Sequence, residues 1–342
     1  MNDKFLNTFC GYYWPVYFVI AMFLNILLYW LILTKTTKVF KSMKYFLIPS
    51  NTANMTLSFI AFFFQGRLIY NSQSLAAMGQ GWCKYIGPVA CVYSYNLVLV
   101  VLSCVILVNL HTLYYRMVSI NHQDRRAVSR RVALFSLHYI FCINSLVMSH
   151  IRTGDMSSSS MELVYNQTLI EHPDYNFDVY GEFGGFQDVH SIWNKLMTYA
   201  YSFIAIYAPT FGLYCRYKTL KVLDLRINSL SEKTIAQFKS VGLTLQVALP
   251  LFCYVSTAAG NSYNQAHTSS PLVIAQYTLT MIFTLPALFD PILNVYFIVP
   301  YRNTIKRIFQ FKIVFEGDNN SATRSQGNQS SIVVNSKPIT VG

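Results

Sequence analysis

Seven long apolar runs constrain the fold of this chain more than any other feature of its 342-residue sequence. A helix needs about 20 predominantly apolar residues to cross the hydrocarbon core of a bilayer. Backbone in lipid must satisfy its own hydrogen bonds, so runs of this length are expected to be helices. The sequence therefore predicts an all-α membrane protein, a seven-transmembrane helix bundle within residues 12–300, with spans at about 12–33, 45–66, 85–110, 132–149, 196–214, 241–260 and 271–300.

The low content of charged residues supports this assignment. Charged residues make up 12% of the chain, whereas a soluble domain averages about 25%. The net charge of +12 would suggest nucleic acid as a partner if the charge were spread over one surface. The basic residues instead sort by side of the membrane, so we predict a lipid membrane and no nucleic acid as a partner.

The distribution of Lys and Arg predicts the orientation. The segments before the second run and after the third, fifth and seventh runs hold 21 of the 26 Lys and Arg residues. Basic loops stay cytosolic, so the short N-terminus, residues 1–11, is expected outside and the C-terminus inside. The longest outer segment, about residues 151–193, is acidic and contains the sequon Asn166-Gln167-Thr168, which predicts glycosylation at Asn166.

The C-terminal part has two predicted segments. Residues 301–315 have Ile305, Ile308 and Phe309 on one helical face and basic residues elsewhere, which favours a short amphipathic helix on the inner leaflet. A basic, unstructured continuation is the alternative. Residues 316–342 are rich in Ser, Asn, Thr and Gly and are predicted to be a disordered cytosolic tail.

Two residue types inside or near the spans point to specific interactions. Asp290 is the only acidic residue within a long apolar run, and ionisable groups in spans face the bundle interior. We expect it to form a polar cluster with Asn25, Asn54 and Asn294, either as a switch or as a static packing network. Cys10 and Cys83 alone among the seven cysteines fall near the oxidising outer edge; a Cys10–Cys83 bridge and two free thiols are both compatible with the sequence.

The last span carries a recognisable motif. The ending FDPILNVYFIVPYR, residues Phe289–Arg302, resembles the helix-7 signature of nematode serpentine chemoreceptors, and Ser231–Phe252 resembles their approach to helix 6. Together they are most similar to class delta (Srd) of the Str superfamily, which are seven-transmembrane G-protein-coupled receptors. The resemblance implies a chemosensory receptor of the plasma membrane and sensory cilia that binds an environmental small molecule and activates a heterotrimeric G protein.

The resemblance also directs attention to two regions of the bundle. At the inner end, candidate G-protein contacts are Tyr114, Tyr115, Arg116, Lys218 and Arg302, although interfacial Tyr and Arg also serve as lipid anchors. A ligand pocket is expected between the outer halves of spans 3, 5, 6 and 7. No ionic group stands in the outer half of any span, which favours a small neutral ligand; the candidate ligand-binding residues, each of which could instead be packing or lipid-facing, are Tyr93, Ser94, Tyr199, Tyr254 and Gln276.

Other functional classes fit the sequence less well. There is no P-loop, nucleophile elbow or dinucleotide fingerprint, so neither an enzyme nor a cofactor is predicted. His150, His172 and His190 lack the spacing of metal ligands, and no metal site is expected. A secondary transporter and an odorant-gated channel with seven helices are the alternatives, but no internal repeat is present and the charge distribution opposes the inside N-terminus of such a channel.

Overall fold

The structure is a computed structural model that describes residues 3–36, 41–121, 125–154, 157–225, 241–268, 271–308 and 310. The chain divides into two compact units, Met1–Tyr301 and Arg302–Gly342. In the second unit, residues 302–308 are helical, and their position on the inner leaflet stays a prediction. The predicted disordered tail, residues 316–342, lies outside the described residues.

Helices dominate the first unit, and the predicted seven-transmembrane fold class is confirmed by family membership reported below. Each predicted span falls on a helix, with α4 and α5 joined by the 3-10 turn Ser136–Tyr139 where one span was expected. The helices are α1 Asp3–Thr34, α2 Lys41–Phe64, α3 Pro88–Asn121, α4 Arg125–Phe135, α5 Ile140–Gly154, α6 Ser158–Glu171, α7 Ile192–Leu225, α8 Val241–Ala266 and α9 Val273–Phe297.

Helix ends extend beyond the apolar runs. α1 begins at Asp3 rather than near residue 12, and α3 continues to Asn121. The apolar run of a sequence indicates only the part of a helix that lies in lipid. The backbone hydrogen bonds of the helix can continue into water, where further turns of polar residues extend it. Within the described residues, five helical segments are long and apolar enough to cross a membrane: Asp3–Thr34, Met43–Phe64, Pro88–Ile120, Arg126–Ile151 and Val273–Phe297. With 34 and 26 residues, α7 and α8 are also long enough at about 1.5 Å per residue.

α3 lies at the centre of the bundle, where it packs against α2, α4, α5 and α7. The ring closes because α9 packs against α8, α1 and α2. α1 lies at the periphery and presents an apolar face outward, on which Val16, Val19 and Phe23 are 59%, 65% and 64% exposed. A contiguous apolar surface of this kind is unfavourable in water, so this face is the one expected to contact lipid.

A small sheet covers one end of the bundle, which we call the hairpin end; the opposite end is the basic end. β1 Gly66–Tyr70 and β2 Leu75–Gly79 form an antiparallel hairpin, and β3 Gly184–Phe186 pairs with β2. At Gly185 a Cβ atom would lie 1.9 Å from the Leu75 carbonyl oxygen, so the strand pairing requires glycine there. Neither the sheet nor α6 beside it was predicted from the apolar runs.

A disulfide bond joins Cys83 to Cys91, across the turn that leads into α3. This bond contradicts both alternatives that the sequence left open, a Cys10–Cys83 bridge and two free thiols, because Cys83 is paired with Cys91 and Cys10 is a free buried thiol. The reason is local: Cys83 lies in the 3-10 turn Trp82–Tyr85, and the chain reverses at Gly87 to bring the first turn of α3 to a Cα–Cα distance of 4.9 Å. Cys10 instead packs inside the bundle against Trp14 and its neighbours.

Candidate functional site

A cavity of about 150 Å³ opens within the bundle toward the hairpin end. Its walls come from α3, α7, α8 and α9, with Tyr70 of β1 at one side. Among the described residues that line it, none is Asp, Glu, Lys, Arg or His. The lining combines apolar side chains at Leu99, Leu102, Ile106, Ile204 and Phe283 with neutral polar ones at Ser103, Thr198, Ser202, Thr257, Asn261, Ser262 and Gln265.

Tyr254 of α8 is the most informative residue on this wall. It is 5% exposed, and its hydroxyl group is buried without a hydrogen-bond partner in the described part of the chain. An unsatisfied buried polar group costs about 1–3 kcal/mol. A ligand that hydrogen-bonds to this hydroxyl would remove that destabilisation. This wall of the cavity is therefore suited to a ligand with a polar group.

The other four predicted ligand residues lie elsewhere. Tyr93 and Tyr199 are 38% and 69% exposed, and neither is among the side chains that line the cavity. The Ser94 hydroxyl donates to the Ala90 carbonyl at 2.7 Å, and Gln276 belongs to another cluster, described below. The expectation that these five residues share one pocket is corrected to Tyr254 alone. On α7, the residues that face the cavity are spaced three and four apart, at Thr198, Tyr201, Ser202 and Ala205. Tyr199 lies on a different face of the same helix and therefore does not line the cavity.

Below the cavity, Asp290 is the centre of a buried polar network. Its Oδ2 atom accepts hydrogen bonds from Asn109 Nδ2 at 2.9 Å and from Asn54 Nδ2 at 3.3 Å. Asn294 Nδ2 donates to the Asp290 carbonyl oxygen at 2.9 Å. Asn25 Nδ2 does not reach the carboxylate and donates to the Ala287 carbonyl at 3.0 Å. We call the set the Asp290 cluster: Asn25, Ser50, Asn51, Asn54, Asn109, Asp290 and Asn294.

The Asp290 cluster links four helices through amide groups. Asn51 Nδ2 donates to the Asn25 carbonyl at 2.9 Å, and Ser50 Oγ donates to Asn109 Oδ1 at 2.8 Å. Sequence reasoning missed Asn109, although an amide inside the apolar run of α3 was a signal of the same kind as Asn54. The network thus ties α1, α2 and α3 to α9, the helix that contains Pro286 and Pro291.

The basic side of this cluster borders a second, smaller cavity of about 20 Å³. Asp290, Asn109 and Arg116 line it together, and a space of this size holds about one water molecule. Of the other residues expected at the basic end, Tyr114 stacks on Phe135 with ring centroids 4.2 Å apart and Tyr115 stacks on Phe46 at 4.6 Å. Lys218 lies 5.8 Å from the Tyr214 ring, and Arg302 begins the second unit.

A second polar cluster, which was not predicted from the sequence, holds the hairpin end to the bundle. Arg67 of β1 is 1% exposed, and its Nη2 atom lies 2.9 Å from Asp3 Oδ1. Nε and Nη2 donate to Gln276 Oε1 at 3.1 and 2.9 Å, and Nη1 donates to the Tyr277 hydroxyl. The guanidinium also lies over the rings of Tyr277 and Tyr175, at 4.2 and 4.6 Å. We call the group the Arg67 cluster: Asp3, Asn7, Arg67, Tyr175, Gln276 and Tyr277.

The Arg67 cluster is electrostatically balanced. Burial by itself would lower the pKa of Arg67, but Tyr180, Tyr277 and Asp3 outweigh burial, and the pKa stays above its ordinary value. Asn7 Oδ1 extends the network by accepting from Tyr180 at 2.7 Å and from Gln80 at 3.0 Å. The cluster therefore joins α1, β1, α9 and the segment before β3.

No group of three or more His, Cys, Asp and Glu side chains that could hold a metal ion occurs among the residues that the structure describes. His172, one of the histidines considered from the sequence, stacks on Tyr175 with centroids 4.9 Å apart. Burial lowers the pKa of His172.

Asn166 lies on the exposed side of α6, at the hairpin end. Replacing Asn166 by Gln is expected to increase the electrophoretic mobility of the protein expressed in animal cells, because the only sequon on the predicted lumenal side is lost. Asn328→Gln, which removes one of the two sequons of the predicted cytosolic tail, serves as the control and should leave mobility unchanged. If wild type and Asn166→Gln migrate alike, with or without glycosidase, the predicted orientation loses its support.

Comparisons with known proteins agree with the resemblance noted in the sequence. The sequence profile described as "Serpentine type 7TM GPCR chemoreceptor Srd" matches residues 10–307. Serpentine receptor class delta-63 of Caenorhabditis elegans is 34% identical over 266 residues, covering 77% of this chain and 81% of the relative. Serpentine receptor class delta-59 of the same organism is 30% identical over 309 residues, covering 89% and 92%. Serpentine receptor class delta-51 is 26% identical over 315 residues, covering 90% of each.

Proposed function

The chain belongs to the Srd family of serpentine seven-transmembrane chemoreceptors, and from this premise we propose that it binds a small neutral molecule in the cavity at the hairpin end and activates a heterotrimeric G protein at the basic end. The hairpin end then faces the environment, with the N-terminus outside. Plasma membrane and sensory cilia are the proposed location.

The observation that carries the proposal is the neutral, mixed lining of the cavity. A charged ligand would lose its hydration without meeting an opposite charge, which costs several kcal/mol. A ligand with an apolar body and one hydroxyl, carbonyl or ester group would pack against Leu102 and Phe283 and hydrogen-bond to Tyr254 or Asn261. A volume of about 150 Å³ is that of a cavity that accommodates benzene, so the proposed ligand is of volatile size.

The effect of ligand binding would reach the basic end through the helices that contact both the cavity and the Asp290 cluster. Tyr254 of α8 lines the cavity, and α8 packs against α9, the helix that carries Asp290. α9 contributes Phe283 to the cavity and Asp290 to the cluster, with Pro286 between them. A ligand can shift the equilibrium only through different affinity for two bundle states. A movement of α8 and α9 that changes the partners of Asp290 would supply such states and alter the surroundings of Arg116.

The direct test is nucleotide exchange on a panel of Gα subunits. The receptor in membranes is screened against neutral volatile and soluble chemicals, with charged analogues of similar size in parallel. A response restricted to neutral compounds of about the size of benzene is expected. Ligand-dependent ion current without nucleotide exchange would favour a channel and contradict the proposal.

Tyr254→Phe is expected to lower the potency of an agonist found in that screen by about fivefold, which corresponds to one neutral hydrogen bond. The empty receptor should be as stable as wild type or slightly more so, because the variant removes a buried hydroxyl without a partner. Concentration–response curves and thermal unfolding of the ligand-free receptor measure the two effects. Tyr199→Phe, on an exposed tyrosine, is the matched control; equal potency for wild type and Tyr254→Phe would remove Tyr254 from the site.

A further inference from the structure

A third cavity lies outside the bundle core at the hairpin end, and the proposed ligand site does not include it. It is a cleft of about 560 Å³ between the first helical turns of α1, the end of α2 and the 3-10 turn Trp82–Tyr85. Asn176 and Val179, from the segment before β3, close its far side. Its volume falls in the range of sites for small organic groups, about 300–1,000 Å³.

The cleft lies where two helices leave the membrane. On α1 its lining runs from Lys4 to Pro15, and the apolar run of this helix begins at Tyr12. On α2 the lining residue Phe62 belongs to the apolar run, which ends at Gly66. The cleft therefore lies where the apolar runs of α1 and α2 meet polar segments. We call its polar lining residues the polar half and its apolar lining residues the apolar half.

The polar half of the cleft is positively charged. Lys4 and Lys84 line it, and no Asp or Glu is found among its described lining residues. Lys84 Nζ lies 3.4 Å from the Val179 carbonyl oxygen and 5.1 Å from the centre of the Tyr85 ring. An ammonium group has three donors, so these contacts leave Lys84 able to donate to an anionic oxygen in the cleft.

The apolar half is lined by aromatic rings and by an exposed stretch of helix backbone. Tyr12, Trp82 and Tyr85 are 75%, 57% and 79% exposed, which is typical of aromatic residues at a membrane interface. Phe62 packs edge-on against Trp82, with ring centroids 5.6 Å apart. Pro15 lacks an N–H group, so the Gly11 carbonyl receives no helical hydrogen bond from it, and the space beside Gly11 is open for 4 Å around its Cβ position.

We propose that this cleft binds a glycerophospholipid of the outer leaflet, with its phosphate at Lys4 and Lys84 and an acyl chain along Pro15 and Phe62. The positive charges of Lys4 and Lys84 favour an anionic phosphate group. Because the cleft also borders the apolar runs of α1 and α2, a phosphate that carries acyl chains fits it better than a free phosphate. Because the cleft borders Asn7, a bound lipid would contact the same segment of α1 that contributes to the Arg67 cluster.

The test is photocrosslinking in phosphatidylcholine vesicles that contain a trace of phosphatidylcholine with a diazirine on one acyl chain. After irradiation, labelled peptides are quantified by mass spectrometry. Label is expected on the peptides that contain Pro15 and Phe62. Lys84→Gln should reduce this labelling about fivefold, because a charge-assisted hydrogen bond to the phosphate is lost, whereas Lys195→Gln, at an exposed lysine of α7, should not.

Two further arms make the result decisive. Trp82→Leu should also reduce labelling, while Trp193→Leu, at the start of α7, should not. In the wild-type receptor, a photoreactive diacylglycerol with the same chains but no phosphate should label the cleft as weakly as phosphatidylcholine labels Lys84→Gln. This experiment uses no variant, so its result does not depend on whether a substituted receptor folds. Equal labelling by the two lipids would overturn the proposal. Binding of inorganic phosphate to the receptor without any label on the peptides that contain Pro15 and Phe62 would also overturn it, since the cleft would then be an anion site without a lipid.

Discussion

Replacing Arg67 by Met is expected to remove most of the receptor from the cell surface. The substitution keeps much of the side-chain volume but leaves the Asp3 carboxylate and the Gln276 carbonyl oxygen without their principal donor. Breaking a buried ion pair from one side costs about 3–5 kcal/mol. The whole stability of a folded domain is only about 5–15 kcal/mol, so such a loss is expected to prevent export.

The same experiment distinguishes the charge of Arg67 from its shape. Arg67→Lys preserves the positive charge but cannot reach Asp3, Gln276 and Tyr277 at once, because an ammonium group lacks the planar fork of a guanidinium. We expect an intermediate surface level for Arg67→Lys and a normal level for Lys195→Met, the control at an exposed lysine of the same end of the bundle. Flow cytometry with an N-terminal epitope tag measures these levels in intact cells.

The pair of Arg67 and Asp3 can be tested by a double-mutant cycle. Because the two side chains are 2.9 Å apart, Asp3→Asn combined with Arg67→Met should cost less than the sum of the single changes. Additive losses, or a wild-type surface level for Arg67→Met, would show that the hairpin end is held by other contacts. Thermal unfolding of the purified variants that reach the surface provides the free-energy differences.

Asp290→Asn is expected to weaken the agonist response by roughly tenfold, within the usual range of coupling between sites, while surface expression stays near wild type. The asparagine is isosteric and its Oδ1 atom still accepts hydrogen bonds, so Asn54 and Asn109 keep an acceptor. What is lost is the negative charge beside Arg116, which lines the same small cavity. Nucleotide exchange at a series of agonist concentrations measures the change.

Asp290→Ala tests whether the carboxylate holds the Asp290 cluster together, which both the switch hypothesis and the static one require. It leaves the two amide donors of Asn54 and Asn109 without an acceptor, and each unsatisfied donor costs about 1–3 kcal/mol, so we expect a clear loss of expression. Asp178→Asn, an exposed change in the segment before β3, is the control for removal of an acidic residue. If Asp290→Asn changes neither expression nor response, the Asp290 cluster is a packing network and the switch hypothesis is wrong.

The sequence predicted the helical spans well because a chain that crosses lipid must satisfy its backbone hydrogen bonds internally. A run such as Tyr12–Leu33 can satisfy its backbone only as a helix, and the distribution of Lys and Arg predicts which ends of such helices face the cytosol. Asp290 and Asn54 were identified for the same reason, since polar side chains within apolar runs must find partners inside the bundle. Their hydrogen bond joins residues 236 positions apart.

The sequence was much less informative about which face of each helix turns inward. Tyr93 and Tyr199 are of a residue type that often binds ligands, but they lie on exposed faces of their helices. Asn261 and Ser103 line the cavity instead. A difference of one or two residues rotates a side chain by about 100–200° around a helix, and no local signal distinguishes an interfacial tyrosine from one in a pocket.

The apolar runs, the placement of charge and the helix-7 motif determined by themselves that this chain is a seven-helix membrane receptor of a chemosensory family. The tertiary structure alone decided that Cys83 pairs with Cys91, that Arg67 binds Asp3 across 64 residues of chain, and that four helices enclose a neutral cavity beneath a small sheet. The physical reason is that transfer into lipid acts on each segment separately, whereas pairing of buried polar groups and thiols depends on which segments the packed bundle brings together.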